Sequence, residues 1–547
     1  MYWHRVTLFC FISTILNVPV LAVQKAGLTV PSSAAASRDT VKEIFVESYD
    51  AYKQYAWGHD DLTPESKSFY DGRNGWGSSI VDALGTMHIM GLEDLLDEAI
   101  EYIGEVDFSE SKTSSHVSVF ETTIRYLGGL LSVYELRGHK DDSLLQKAQE
   151  IADKLAFAWV GDNDLPFGWI DFSNNKPDIA SSNIAEAGTL IMEWATLSKL
   201  TGNYTYQELA EKAFRHIATL GSPLPGLAAQ SINPSTGNFV GGYVSWGGGS
   251  DSYFEYLLKY PVLVGLDDPL YIDTWRTAVD SSIKYLLRRS TVGNYLYTSE
   301  FDATSPEGKQ YRYISSHLAC FHAGNWLYGG TLLGNETIVD MALGLMEGCW
   351  NSYAGTATGI GPESFAYMAS DGNYTGATKP SEDQLTFYEE HGYYITSSYY
   401  ILRPEVLESN FYAWRITGDT KYLDRATSAL DSFKEFLPGS VAFDGIYDVN
   451  NGTSAKVNDM ESFWFAEVLK YLYLTFDDPE NINIDDYIFN TEAHPLKASV
   501  PLARYGSDAL VHNRPFKSES GPPAAVSPTS YRHSNSQQEH LVVQGYY

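Results

Sequence analysis

The feature that most constrains the fold is a short turn that recurs seven times along the chain, each time after an apolar helical stretch. We call these turns elbows. They are Met90-Gly91-Leu92, Arg137-Gly138-His139, Thr201-Gly202-Asn203, Val264-Gly265-Leu266, Leu333-Gly334-Asn335, Thr417-Gly418-Asp419 and Phe476-Asp477-Asp478. Glycine, the residue expected just after a helix, occupies six of the seven. An amphipathic stretch follows most elbows, so seven helical hairpins laid side by side would form a closed double ring of helices.

Charged residues recur at a common distance before the elbows. About three to five helical turns upstream of them lie Glu121, Glu186, Asp251, Glu255, His317, Glu405, Glu408, Glu461 and Glu467. This spacing predicts that they gather at one end of the inner ring. Buried carboxylates are costly unless they are paired or bind a cation, so the group indicates a site for a sugar or a hard cation. The alternative is that each residue caps its own helix or faces solvent.

Composition narrows the class of protein. The chain has 547 residues, 44% of them hydrophobic, which suffices for one large barrel or for two to four domains. The net charge of −32 argues against nucleic acid and anionic membranes as partners. The run 247–249 is all glycine, but neither Lys-Ser/Thr nor a dinucleotide pattern follows it, so it does not indicate a nucleotide site.

The two ends of the chain differ from its middle. His4 and Arg5 precede an uncharged stretch, 6–23, which predicts a secretory signal peptide at 1–22. A membrane anchor is the alternative, although this stretch is at the lower length limit for a span and contains Ser, Thr, Asn and Pro. We expect a Ser/Ala-rich linker at 23–40 and a helical catalytic domain at 41–503. From 504 to 547 the helical period is lost, which predicts a disordered tail.

Cysteines and sequons agree with export. With Cys10 in the predicted signal, Cys320 and Cys349 remain, and they form either a disulfide or two free buried thiols. Four candidate N-glycosylation sites follow the Asn-x-Ser/Thr pattern, at Asn203, Asn335, Asn373 and Asn451. We therefore expect the secretory pathway, either secretion or a Golgi or vesicle lumen.

Seven longer motifs occur together in one enzyme family. They are Trp57-Gly58-His59-Asp60-Asp61, Phe120-Glu121-Thr122-Thr123-Ile124-Arg125, Asp251-Ser252-Tyr253-Phe254-Glu255-Tyr256-Leu257-Leu258-Lys259, Gly361-Pro362-Glu363, Leu402-Arg403-Pro404-Glu405, Met460-Glu461-Ser462-Phe463 and Phe489-Asn490-Thr491-Glu492-Ala493-His494-Pro495. On these motifs the chain resembles glycoside hydrolase family 47, the class I α-1,2-mannosidases of the secretory pathway, over about residues 41–496.

The resemblance implies an all-α (α/α)7 barrel with small β-hairpins in its loops. It also implies a Ca²⁺-dependent enzyme that removes terminal α-1,2-linked mannose from high-mannose N-glycans with inversion. Glu121 matches the proposed general acid, Glu405 the favoured general base and Asp251 a further core carboxylate. Glu363 matches a further proposed proton donor, and Thr491 matches the calcium ligand. Arg125, His317, Arg403, Glu408, Phe463 and Glu467 match pocket residues, to which the spacing adds Glu186 and Glu255. Cys320 and Cys349 match a disulfide of the family.

One position bears on specificity. Gly249, two residues before Asp251, is arginine in endoplasmic-reticulum members that remove one particular mannose. Glycine should widen the pocket, which suggests the Golgi-like or secreted fungal type that trims nine mannoses towards five. Two alternatives stay open: a family relative that marks misfolded glycoproteins for degradation, and a mannose-binding module that has lost catalysis. We expect a monomer without a membrane span after signal cleavage.

Overall fold

The computed structural model describes residues 22–520 except 378, 508, 512 and 513. A ring of seven inner helical segments forms its centre, in which each segment contacts the next and the last contacts the first. The inner segments are Ser78–Met90; Val119–Glu121, Thr122–Leu127 and Gly128–Leu136; Ile184–Gly188 and Ile191–Thr201; Asp251–Val264; Leu318–Cys320 and Phe321–Leu332; Glu405–Thr417; and Trp464–Val468 and Leu469–Phe476. This arrangement confirms the predicted α/α barrel.

Seven outer helices surround this ring. They are Ala34–Tyr55, Glu93–Glu105, Asp142–Leu155, Thr205–Thr219, Pro269–Tyr285, Glu336–Ala354 and Lys421–Phe436. Sequence pattern decides which ring a helix joins. Asp142–Leu155 buries only the stripe of Leu144, Ala148, Ile151, Ala152 and Leu155, whereas Asp251–Val264 buries residues on every side. Two further short helices, Ala156–Ala158 and Glu382–His391, lie in connections.

The elbows have the backbone conformation that their glycines predict. The φ angles of Gly91, Gly138, Gly202, Gly265, Gly334 and Gly418 lie between 61° and 76°. This left-handed region favours glycine because a side chain there would crowd the backbone. Each of these six elbows turns an inner helix into an outer one. The reversals therefore all lie at one end of the ring, and we call the opposite end the mouth.

The seventh hairpin differs from the prediction. Asp477 has an extended conformation, and the chain after it enters the strand Tyr487–Phe489 instead of an outer helix. The outer partner of Leu469–Phe476 is Ala34–Tyr55, the first helix of the described chain. The ring thus closes by contact between two parts of the chain that are far apart in sequence.

Short strands occupy the connections in seven small sheets. The paired strands are Asp61–Thr63 with Ser68–Tyr70; Leu287–Arg289 with Leu296–Thr298; Tyr487–Phe489 with Pro495–Lys497; Val117–Ser118, Trp169–Asp171 and Lys176–Pro177; Tyr243–Val244, Glu300–Asp302 and Tyr311–Arg312; Ile314–Ser316, Ser364–Ala366 and Tyr394–Ser397; and Ser182–Asn183, Ser231–Asn233, Asn238–Val240 and Ser518–Glu519.

The predicted boundaries need correction at both ends. The first helix begins at Ala34, inside the range predicted as a linker, and the N–H of Val23 donates to Asp485. Ser507 hydrogen-bonds Asp273, and Ser518–Glu519 pairs with Asn238–Val240, so the predicted disordered tail contains ordered contacts up to 519. Tertiary contacts with the barrel order the C-terminal segment, which has no helical period of its own. Residues 1–21 of the predicted signal and 521–547 of the tail lie outside the described residues.

The structure also shows the cysteines and the N-glycosylation sequons expected of an exported protein. A disulfide joins Cys320, at the start of the fifth inner segment, to Cys349 in the following outer helix. Of the four sequon asparagines, Asn373 and Asn451 are exposed, whereas Asn203 and Asn335 are half-buried beside elbows. Within residues 22–520, no helix combines the length and apolar character that a membrane span requires.

Candidate active site

A cavity of about 320 Å³ opens at the mouth of the ring. Carboxylates predominate in its wall: it contains Glu121, Glu186, Asp251, Glu255, Glu405, Glu408, Glu467 and Glu492, against the two guanidinium groups of Arg125 and Arg403. Phe463 and Thr491 also line it. The structure therefore brings together most of the residues predicted from the sequence. His317 and Glu363 lie one layer behind, in contact with Glu405 and Arg403 respectively.

Two of the inner segments depart from α-helical geometry at the cavity. The segments Thr122–Leu127 and Trp464–Val468 are π-helical, and they contain Arg125 and Glu467. A π turn inserts a residue into the helix and shifts the side chains around it, and such turns often mark functional sites. In this protein the two π-helical turns change which side chains face the cavity next to Glu121 and Phe463.

Glu121 is held by arginines. Its Oε2 accepts a hydrogen bond of 2.8 Å from Arg125 Nε, and Arg73 Nε lies 3.9 Å away. Burial would raise the pKa of Glu121, but the charges of Arg125 and Arg73 outweigh it and lower the pKa. Arg73 itself donates to Asp61 and to Glu461. This arrangement favours the ionised form of Glu121.

Glu405, the first residue of its inner helix, is also held as an anion. Its Oε2 lies 2.7 Å from Nδ1 of His317, whose Nε2 lies 2.8 Å from the hydroxyl of Tyr353. Burial would raise the pKa of Glu405, but the hydrogen bond from His317 and the charge of Arg403 lower it. Because a carboxylate only accepts hydrogen bonds, Nδ1 must carry the proton.

Asp251 has the opposite character. It begins the fourth inner helix, and its Oδ1 accepts the N–H of Ser252 at 2.9 Å. Burial, reinforced by the neighbouring charges of Glu255 and Glu405, raises the pKa of Asp251 to about 7. Within one cavity the protein thus holds one carboxyl group that retains a proton near neutral pH and another that does not.

Glu363 lies behind the wall of the cavity. Arg403 donates to both of its carboxylate oxygens, at 2.6 and 2.9 Å, in a bidentate pair. Leu402, just before Arg403, has a φ of 67°, which is strained for a branched residue. The chain therefore bends sharply to direct Arg403 towards Glu363. With both oxygens occupied, Glu363 is placed to orient Arg403.

Deeper in the cavity the acids repel one another. Lys259 donates to Glu255 and its charge also acts on Glu408, and Arg125 acts on Glu467, but both Glu408 and Glu467 are buried among other carboxylates. Burial first, and then neighbouring carboxylates, raise the pKa of both Glu408 and Glu467 well above the ordinary value. A surplus of buried negative charge of this kind favours a bound cation or a ligand rich in hydroxyl groups.

The turn that carries Thr491 is fixed by a hydrogen-bonded group that the sequence analysis did not assign. The side chain of Asn490 donates to Glu193 at 2.8 Å and accepts the N–H groups of Glu492 and His494. The hydroxyl of Tyr256 donates to Glu193 and accepts the N–H of Thr491 at 3.1 Å. The position of the Thr491 oxygens thus depends on side chains from two inner helices. Among the described residues, no group of three or more His, Cys, Asp or Glu side chains is arranged to hold a metal ion.

Glu186 and Glu492 complete the wall. Glu186 accepts a hydrogen bond of 2.9 Å from Ser182, and Glu492 is buried and paired with Arg125. Glu492 stands in one of the quoted motifs but was not assigned a role. The sequence motifs also gave no role to Arg73, Glu193 or Asn490, because these side chains act through contacts with residues distant in sequence.

Comparison with known proteins decides the family. The family model for Glycosyl hydrolase family 47 matches residues 44–498. The chain belongs to glycosyl hydrolase family 47. The resemblance inferred from the motifs is therefore confirmed, and the chain is a glycosidase by family.

Family 47 relatives cover most of the chain. A protein of Aspergillus phoenicis named mannosyl-oligosaccharide alpha-1,2-mannosidase 1B is 40% identical over 483 residues, which are 84% of this chain and 91% of the relative. A mannosyl-oligosaccharide alpha-1,2-mannosidase of Penicillium citrinum is 39% identical over 494 residues, 86% and 93% of the two chains. The structure of an alpha-1,2-mannosidase from Trichoderma reesei superposes with a TM-score of 0.81 at 37% identity, covering 85% of this family 47 chain and 99% of the other.

Proposed function

We propose that this family 47 glycosidase is a calcium-dependent mannosyl-oligosaccharide 1,2-α-mannosidase that acts on high-mannose N-glycans with inversion. The observation that carries the proposal is the carboxylate-lined cavity, in which Glu405 and Asp251 have opposite preferences for a proton. The names of relatives at about 40% identity support the substrate class.

Glu405 is the proposed general base, and Asp251 the proposed proton donor. Inversion requires a base that takes a proton from water on one face of the sugar and an acid that protonates the leaving oxygen on the other. Glu405 is kept ionised by His317 and Arg403, as a base requires. Asp251 can hold a proton near neutral pH and can give it to the departing sugar oxygen.

This assignment differs from the role expected for Glu121. Arg125 and Arg73 favour its anion, which does not suit a proton donor. We assign Glu121 and Arg125 to hydrogen bonds with sugar hydroxyl groups instead. Phe463 lies beside them, with the guanidinium carbon of Arg125 5.6 Å from its ring centre, and offers an apolar surface to the sugar ring.

Calcium is proposed to bind at Thr491. Its hydroxyl and carbonyl oxygens are ligands that Ca²⁺ accepts, and the excess of buried carboxylates nearby fits a positive charge. Bound there, the ion would orient hydroxyl groups and polarise water. The protein's own part is to hold the turn, through Asn490, Glu193 and Tyr256.

Specificity is proposed to depend on Gly249, which lines the cavity with a φ of 85°. The side chain of Gln230 packs against it, and a Cβ at this position would lie 3.0 Å from Gln230 Nε2. A larger side chain here would have to displace Gln230, so we propose that glycine at this position lets several glycan branches enter. We therefore expect a nine-mannose glycan to be trimmed towards five mannoses, and a digestion that stops cleanly at eight would contradict this. We place the enzyme in the secretory pathway, as a secreted or lumenal protein.

The central experiment measures release of mannose from an α-1,2-linked mannose disaccharide, with and without a chelator. We expect activity that the chelator removes and added Ca²⁺ restores. Glu405→Gln should lower turnover by about 10²–10⁴-fold while glycan binding survives, because the base is lost but the cavity is not. Glu390→Gln makes the same chemical change at a side chain that is 68% exposed and should match the parent. Equal turnover of Glu405→Gln and the parent would remove Glu405 from the mechanism.

A further inference from the structure

Exposed aromatic side chains are unevenly distributed over the described surface. Those that are more than a third exposed are Phe69, Tyr70, Trp169, Tyr204, Tyr399 and Tyr447. Single exposed aromatics are ordinary, but a cluster of them marks a binding surface. Only Tyr204 in this set lies at the elbow end, two residues after Gly202. The other five lie on connections that also hold residues of the cavity wall or residues bonded to them.

Hydrogen bonds and strand pairing place these five residues at the mouth. Tyr70 pairs with Asp61, whose carboxylate binds Arg73. The carbonyl of Tyr399 accepts the N–H of Glu363 at 2.9 Å. Tyr447 follows on the adjacent loop, where its carbonyl accepts the hydroxyl of Ser398. Phe69 stacks on His59, so its ring already has a partner.

Trp169 is the best placed of the five. It pairs with Ser118, whose hydroxyl accepts the N–H of Glu121 at 3.2 Å. Its neighbour Gly168 lies against Glu186, because a Cβ there would be 2.9 Å from Glu186 Oε2. The Trp169 backbone therefore lies between two segments that supply carboxylates to the cavity. Trp169 is 44% exposed, and every other tryptophan of the described residues is buried or half-buried.

Polar groups flank this ring. The carbonyl of Trp169 accepts the N–H of Asp178 at 2.8 Å, and Asp178 pairs with His116. Both of these side chains are more than 40% exposed. An exposed indole can stack on the C–H face of a sugar, while a neighbouring carboxylate and imidazole hydrogen-bond the hydroxyl groups of the same sugar.

We propose that Trp169 is a stacking platform for a mannose unit of the oligosaccharide that stays outside the cavity while the terminal unit is hydrolysed. The inference rests on the proposed function and extends it from the terminal mannose to the rest of the glycan. The carboxylate-lined cavity suits the residue that is cleaved, so the remaining units of a branched glycan must lie across the mouth. Trp169 contacts them there, and His116 and Asp178 bind their hydroxyl groups.

The test compares two substrates, an α-1,2-linked mannose disaccharide and a nine-mannose N-glycan. Trp169→Ala should lower kcat/KM for the glycan by roughly tenfold, as expected for loss of one aromatic contact, and by less than about twofold for the disaccharide. Trp169→Phe should keep most of the activity on the glycan. Trp169→Leu, which keeps an apolar side chain but no ring, should behave like the alanine variant and provides a second measurement if the alanine variant folds poorly.

Tyr204→Ala is the matched control, since it removes an exposed ring at the elbow end and keeps the Asn203 sequon. It should hydrolyse both substrates like the parent. The inference is overturned if Trp169→Ala matches the parent on both substrates, or loses the same factor on both. A parent enzyme that releases no mannose from the disaccharide would instead defeat the proposed function, so the two failures are distinguishable.

Discussion

Replacing His317 with alanine tests how the proposed base is kept ionised. His317 is 1% exposed, and its Nδ1–H donates to Glu405 at 2.7 Å. A hydrogen bond to a charged group contributes about 1.5–3 kcal/mol, which corresponds to about 10- to 150-fold in an equilibrium between the two protonation states. Without His317, burial is no longer offset by this bond, so the pKa of Glu405 rises.

The sign of the pH effect follows from the role of a base. Glu405 acts only when ionised, so activity is lost as the pH falls through its pKa, which in the parent is below the ordinary glutamate value. In His317→Ala this acidic limb should move to higher pH. Below the parent's pKa, kcat/KM should therefore fall by the full factor of about 10- to 150-fold, and the loss should shrink as the pH rises above the pKa of the variant.

The assay is the pH profile of kcat/KM on the α-1,2-linked disaccharide. Tyr353→Phe is the control, because it removes only the hydroxyl 2.8 Å from the other ring nitrogen of His317 and leaves the bond to Glu405. Its acidic limb should stay close to that of the parent. If His317→Ala lost the same factor at every pH, His317 would act by packing alone and the reasoning about Glu405 would be wrong.

Three other changes have defined outcomes. In the parent, we expect kcat/KM to fall above about pH 7 as Asp251 loses its proton. Asp251→Asn should remove this fall and most of the activity, because this carboxyl group would no longer supply a proton. A variant that kept the parent's alkaline limb would show that another group donates. Asn490→Ala should weaken the stabilisation of the fold by Ca²⁺, measured as a smaller rise in Tm on titration, because the turn at Thr491 loses its hydrogen bonds; an unchanged rise would separate this turn from the ion. Replacing both Cys320 and Cys349 with serine should lower the free energy of unfolding in urea by about 3–4 kcal/mol, since the bridge closes a loop with a sequence separation of 29; no change would mean that the bond does not constrain the unfolded chain.

The elbows and the acidic mouth could be predicted because both are local signals. A glycine after an apolar helical stretch specifies where a helix ends, as Gly265 and Gly418 do here. A residue at a fixed number of turns before that glycine must lie at the opposite end of the helix. With the helices side by side in the predicted ring, Asp251 and Glu405 therefore lie at the same end.

Other parts of the site depend on contacts that no local pattern encodes. Arg73 meets Glu461 across a separation of 388 residues, and Asn490 meets Glu193 across 297. Each of these side chains, taken alone, is an ordinary polar residue in a loop or helix. The same holds for the N-terminal region, where Ala34–Tyr55 supplies the outer helix missing after Asp477. The amphipathic pattern of this helix indicates that one face packs against another helix, but the pattern does not indicate which helix that is.

The contact that closes the ring also bears on the order in which the molecule is built. Ala34–Tyr55 is made before every other described helix, yet the inner helix on which it packs ends at Phe476, about 420 residues later. At roughly 5–20 residues per second, this helix waits roughly 20–80 s for its partner, with its apolar face unburied. The segment that carries Phe463 and Glu467 is also the last of the inner ring to be made. A nascent chain therefore has no complete carboxylate-lined cavity until this last inner segment has been made, and the waiting helix is where chaperones would be needed most.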